Sequence, residues 1–183
     1  MITPKENTLL IADPFLKDQH FIRSVVYLCS HDDEGSFGFS LNKKFDYNLN
    51  DLIDNINNPN IPVFVGGPVG NDALHFLHQY PDLISDAQQI NNKMYWGGNF
   101  NDVVALINSG VYDQNKIKFF VGYSGWGANQ LQEEMSEKSW LITEADTKIV
   151  FETAYDKVWK ESVKKLGKDF QEIINYPIDP QLN

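Results

Sequence analysis

The chain is short of several things, and each shortage excludes something. It has one cysteine, Cys29, in 183 residues. No internal disulfide can form, which fits a reducing compartment. Positive charge is scarce: 15 Lys and Arg face 25 Asp and Glu, a formal charge of −10 at pH 7. Proteins that grip a nucleic-acid backbone gather Lys and Arg, so direct nucleic-acid binding is not expected. The one compact basic group is Lys157, Lys160, Lys164, Lys165 and Lys168. It is interleaved with Asp156, Glu161 and Asp169 and reads as a solvated helix face. No apolar run approaches the roughly 18 residues of a membrane span. The opening MITPKENTLLIADPF lacks the charged start and long apolar segment of a secretory signal. The expectation is a cytoplasmic protein without membrane association. Glycine-rich phosphate loops, C-x-x-C pairs and H-E-x-x-H are also missing, so no cofactor and no metal are expected.

What is present is globular. Hydrophobic residues reach 42% and aromatics 13%, enough for a well-filled core. The length fits one domain over 1–183, with 176–183 as a loose tail. Residues 8–12 form a short apolar run ending at Asp13-Pro14. Residues 23–31 and 36–41, joined by Asp32-Asp33-Glu34-Gly35, read as a β-hairpin. Phe37, Phe39 and Leu41 fall on one of its faces, with Ser36, Gly38 and Ser40 on the other. That small face predicts close packing by a neighbour. Further strands are expected at 61–65, 73–80, 93–96 and 116–123. Helices are expected over 49–56, from Asn99 or Asn101 to Gly110, over 129–136, and over 154–166 behind a Thr153 cap. A short helical piece is expected at 146–151. Hairpins and helices mix without a βαβ alternation, which predicts an α+β fold with a largely antiparallel sheet.

The stretch FVGYSGWGANQLQEEM, residues 120–135, carries the main chemical question. Ser124 sits among glycines ahead of a helix, as a nucleophile would on a strand-to-helix elbow. An elbow needs G-x-S-x-G, and here the indole of Trp126 stands where the second glycine belongs. All four histidines, His20, His31, His75 and His78, precede the serine. The competing reading is a tight turn over 122–127, with Asn129 capping the helix and Gln132 completing a capping-box-like pair. That turn is expected beside Gly66-Gly67-Pro68, with Gln130 facing the same surface. Cys29 and His31, two apart on a strand, share a face and form a second candidate pair for nucleophile and base. His75 and His78 oppose each other on a strand, so joint metal binding is not expected.

Taken together, LLIADPFLKDQHFIRSVVYLCSHDDEGSFGFSLNK, VFVGGPV, FLH, YWGGN, GYSGWGANQLQEEM and SWLI occur in an order that resembles the bacterial YqgE/AlgH family. The match runs from about residue 9 to 167. The resemblance implies a cytosolic protein with one α+β domain, flanking helices and an antiparallel, partly barrel-like sheet. It supplies no activity, although the family carries a transcriptional-regulator label from a genetic link in one lineage. Relatives often carry alanine at the position of Ser124 and a second glycine where this chain has Asn129.

The resemblance marks positions that a binding site would use: Arg23, Ser24, His31, Asn42, Gly66, Gly67, Pro68, Trp126, Gln130 and Glu134. The same residue types also satisfy buried backbone groups and make turns. Three functions stay open. One is a non-enzymatic binding or regulatory protein that acts through an unknown protein or small-molecule partner. Another is an enzyme using His31 with Cys29 or Ser124. The last is a direct DNA-binding regulator, which the charge argues against.

Overall fold

A computed structural model of the chain describes residues 3–58 and 60–177. Ten strands among them form one sheet: β1 (Thr8–Ala12), β2 (Val25–Asp32), β3 (Gly35–Ser40), β4 (Lys44–Asn48), β5 (Pro62–Val65), β6 (Val69–His78), β7 (Gln88–Gln89), β8 (Tyr95–Trp96), β9 (Ile117–Gly127) and β10 (Trp140–Glu144). The main path runs β10-β1-β2-β3-β9-β6-β8-β7, with β5 beside β9 and β4 beside β5. All pairs are antiparallel except β5 with β9. The expected α+β fold with an antiparallel sheet is present, but the sheet is not closed into a barrel.

β9 joins two parts of the sheet. Its residues 119–121 lie between β5 and β6, whereas 124–127 pair with β3. The chain therefore leaves β5 on one side of β9 and starts β6 on the other. Gly66-Gly67-Pro68 makes that crossing directly over β9. A Cβ on Gly66 would lie 2.3 Å from the Gly122 carbonyl oxygen, and one on Gly67, at φ +156°, 2.3 Å from the Tyr123 carbonyl. Only glycine lets two backbones approach so closely.

Burial follows the strand period of two. In β1, Leu9 and Ile11 enter one apolar cluster and Leu10 and Ala12 another, so both faces are covered. Four helices supply the covers: α1 (Leu49–Leu52), α2 (Phe100–Asn108), α3 (Gln130–Ser136) and α4 (Val158–Lys165). Val158, Trp159 and Val163 of α4 close the first cluster over Leu9, Ile11 and Tyr27. Val103, Leu106 and Ile107 of α2 pack with Val63, Phe76 and Phe119. Leu131 of α3 joins Leu10, Val26, Trp126 and Trp140.

Several expected boundaries move. β9 continues through Gly127, so the expected turn over 122–127 is strand, kinked at Gly122 with φ +68°. The first helix stops at Leu52, because the Asp- and Asn-rich run behind it favours turns, and Asn55 sits at φ +66°. Asn129 is left-handed and makes no side-chain cap; Gln130 Oε1 instead accepts from Gly127 N at 3.0 Å. Thr153 does not open the last helix. It closes a π-helical turn, Lys148–Glu152, with its hydroxyl donating to the Lys148 carbonyl at 3.0 Å. A 3-10 segment, Lys168–Asn175, follows α4 unforeseen. Of the expected loose tail, 178–183 lies outside the described residues.

Candidate functional site

Apart from His31, the family-marked residues fall into three groups, and each group has internal work. In the first, Asn42 bridges the backbone: its Oδ1 accepts from Val25 N at 2.9 Å and its Nδ2 donates to Arg23 O at 2.7 Å. Ser24 is fully buried and donates to His20 O. Arg23, at φ +54°, lays its guanidinium 4.0 Å from the centre of the Trp159 ring and donates to Tyr176 O at 2.6 Å. Arg23 thus straps the C-terminal segment down.

In the second group, Gly66 and Gly67 make the crossing, and Ser124 serves it. Ser124 is fully buried, and its hydroxyl donates to Gly66 O at 2.9 Å. Pro68 is exposed beside it. In the third group, the Glu134 carboxylate accepts from three donors: Trp126 Nε1 at 2.9 Å, Trp140 Nε1 at 2.8 Å and Gln130 Nε2 at 3.0 Å. The Trp126 ring lies 6.2 Å from Phe21 and 5.9 Å from Trp140, inside the third cluster.

The Cys29–His31 pair is not assembled. A bulge between Leu28 and Ser30 pairs Ser30 with Phe37 and His31 with Ser36. That extra residue rotates His31 away from the face of Cys29. Cys29 sits in the first cluster, and burial pushes its thiol pKa well up, which suppresses the nucleophilic thiolate. His31 Nδ1 instead shares a 2.6 Å hydrogen bond with Ser36 Oγ. His78 is also committed. Its Nδ1 accepts from Tyr80 N at 3.1 Å, so Nε2 carries the proton and donates to Gly97 O at 3.1 Å. No cluster of three metal-ligating side chains occurs among the described residues.

The open site lies elsewhere. A groove of about 620 Å³ opens beside the tip of the β2–β3 hairpin, between β3, β6, β8 and β9. Its walls are aromatic. Phe37 meets Trp96 at 4.9 Å and 74°, and Tyr123 at 6.3 Å and 86°, both edge to face. His75 lies 5.5 Å from Phe39 and 5.9 Å from Tyr123. Burial lowers the His75 pKa, so the ring is neutral at pH 7. Its Nε2 is buried without a hydrogen-bond partner. Asp32 and Glu34 stand on the rim, and among the described residues no Lys or Arg lines the groove.

Of the expected site residues, only Trp126 contributes to this wall. His75, Trp96, Tyr123 and Val69 were not expected there. The period-two aromatics Phe37 and Phe39 were the available signal; what the sequence does not display is that β6, β8 and β9 deliver rings opposite them.

Fold and groove define an α+β protein built on one open sheet, with an acidic-rimmed aromatic groove beside its hairpin. The AlgH-like family model matches residues 9–171. A UPF0301 protein of Parabacteroides distasonis is 41% identical over 184 residues, covering all of this chain and 93% of the relative. One from Cytophaga hutchinsonii is 39% identical over 176 residues, covering 96% and 97%. The solution structure of the AlgH protein from Pseudomonas aeruginosa superposes with a TM-score of 0.75 at 25% identity, covering 97% of each chain. A crystal structure of a Corynebacterium diphtheriae protein gives 0.79 at 19% identity, covering 96% and 94%, a likeness of fold. The chain belongs to the AlgH-like, UPF0301 family. No helix among the described residues is long and apolar enough to cross a membrane.

Proposed function

We propose that the protein is a non-enzymatic binding protein of the cytoplasm, acting as a single domain through the groove at the hairpin tip. Its ligand is a cation with an aromatic or aliphatic body, either free or as a side chain of a partner protein. One observation carries this reading: Phe37 packs edge to face on Trp96 and Tyr123, and the three rings together line a groove that stays open. Aromatic faces attract cations, and Asp32 and Glu34 add negative charge, with no basic residue among the described lining to oppose them. Aromatic walls with a few polar groups at the rim are the usual composition of a ligand site. A regulatory role of the kind suggested by the family label would run through a partner held here. Direct DNA contact is disfavoured by the net charge of −10.

Phenethylamine and phenylacetate share a body and differ in charge, so they test the reading together. In 15N-labelled protein, phenethylamine is expected to shift the His75, Trp96 and Tyr123 resonances. Two exposed carboxylates at ~0.2–1 kcal/mol each predict a roughly 2- to 30-fold preference over phenylacetate, shrinking with salt. Equal binding of the two, or shifts centred away from these residues, refutes the proposal.

A further inference from the structure

A second site lies at the other end of β9. Lys118 is 7% exposed, and its Nζ has no carboxylate within ion-pair distance among the described residues. Its polar contact is one long hydrogen bond, 3.4 Å, to the carbonyl of Val150. The ammonium position is 4.2 Å from the centre of the Phe64 ring. Beside it opens a cleft of about 200 Å³, walled by Phe64, Tyr112, Phe151 and Tyr155. The fourth side of this arrangement is the π-helical turn Lys148–Glu152, which supplies the Val150 carbonyl. π-Helical turns are rare and recur at functional sites.

A lysine placed only for stability would pair with an acid or snorkel to water. Lys118 does neither, and burial without a counter-charge lowers its pKa to about 7. A large share of the side chain is then a free amine at neutral pH. Lys118 itself lines the cleft, where the four rings alternate with polar groups from Gln114, Asn115, Glu152 and Thr153. No residue of this cleft lines the groove at the hairpin, so the two sites are separate.

We propose that Lys118 is a nucleophilic amine that captures a small aldehyde with an apolar body in this cleft, as a reversible imine. The nitrogen lone pair forms a bond to the carbonyl carbon. One amine proton passes to the carbonyl oxygen and gives a carbinolamine. The C–O bond then breaks, the second amine proton leaves with the hydroxyl as water, and the C=N bond forms. Nothing is oxidised or reduced, and no co-reactant is needed.

The test uses the full chain with benzaldehyde and sodium cyanoborohydride, which reduces an imine to a stable secondary amine. Peptide mass spectrometry then reads every lysine. At pH 7 a lysine of ordinary pKa near 10.4 is free amine in only a few parts in ten thousand. Lys118 is therefore expected to be alkylated at least ~10-fold faster than surface Lys116, Lys157 or Lys164, with its rate rising through a midpoint near pH 7. Lys118→Arg should lose that adduct and keep the slow surface ones. The wild-type pH profile stands alone if the variant does not fold. Alkylation of Lys118 no faster than of surface lysines, a midpoint above pH 9, or no adduct at Lys118 overturns the proposal and leaves the amine a structural donor to Val150.

Discussion

Replacing Glu134 with alanine removes one side chain and orphans two indoles. The carboxylate accepts from Trp126 and Trp140 at 2.9 and 2.8 Å, and those residues are 5% and 2% exposed. A buried donor left without a partner costs about 1–3 kcal/mol, and hydrogen bonds to a charged acceptor fall at the upper end. Water reaches part of the site, because Glu134 itself is half-buried. A loss of ~2–5 kcal/mol follows, a large share of a net stability of about 5–15 kcal/mol. For a chain of this size that is a fall in melting temperature of roughly 5–15 °C. Urea denaturation followed by far-UV circular dichroism gives the free energy, and near-UV dichroism reports the tryptophan surroundings. Glu133→Ala, one position away on the exposed face of α3, is the control and is expected within ~0.5 kcal/mol of wild type. Glu134→Gln keeps one acceptor oxygen and should fall between them. If Glu134→Ala unfolds like the control with an unchanged near-UV spectrum, the network carries no weight and the reasoning fails.

Three further outcomes follow from the geometry. Gly67→Ala drives a Cβ to 2.3 Å from the Tyr123 carbonyl and is expected to cost more than about 3 kcal/mol, or to give insoluble protein; near-native stability in a urea titration contradicts the crossing. His75 and His78 are held below their ordinary pKa by burial. The unfolded chain therefore binds more protons once pH falls below about 6.5, and stability should drop from there downward. Melts at pH 7.5, 6.5 and 5.5 check this, and a flat series counts against it. Lys118→Met should stabilise the fold. The folded-state pKa of about 7 lies below the unfolded value, so the cost of the buried charge is full below pH 7 and fades toward pH 10.4. The gain, on the order of a few kcal/mol at pH 6, should shrink by pH 9; an equal or larger gain at pH 9 refutes it.

Alternation in β3 and the β-former-rich run of β2 made the hairpin legible, and continuous apolar runs marked β1 and β5, because each strand's burial is written in its own residues. β8 falls within the strand expected at 93–96, whereas β7 was not expected, since a two-residue strand exists only by virtue of its partner. Gly66 and Gly67 advertised a close approach, but the sequence did not say to what. Trp126, Gln130 and Glu134 stood out as a spaced set and read as a surface. Their donors and acceptor satisfy one another, and Trp126 also lines the groove. Cys29 and His31 were misjudged for a local reason: one bulge residue inverts the alternation that the pairing argument assumed. The groove stayed hidden because its rings come from four strands distant in the chain.

Gly66-Gly67-Pro68 carries the chain over β9, and that bears on how the protein is born. β5 and β6 emerge from the ribosome as neighbours in sequence with a vacancy between them, and the strand that fills it is finished only at Gly127. At ~5–20 residues per second, about 60 residues of further synthesis separate the end of β5 from its partner by roughly 3–12 s. β1 waits longer still, since β10 on its far edge ends at Glu144. Throughout that interval Val63, Phe64, Phe76 and Leu77 have no sheet to enter. A nascent chain stalled short of β9 is therefore a natural client for holdase chaperones.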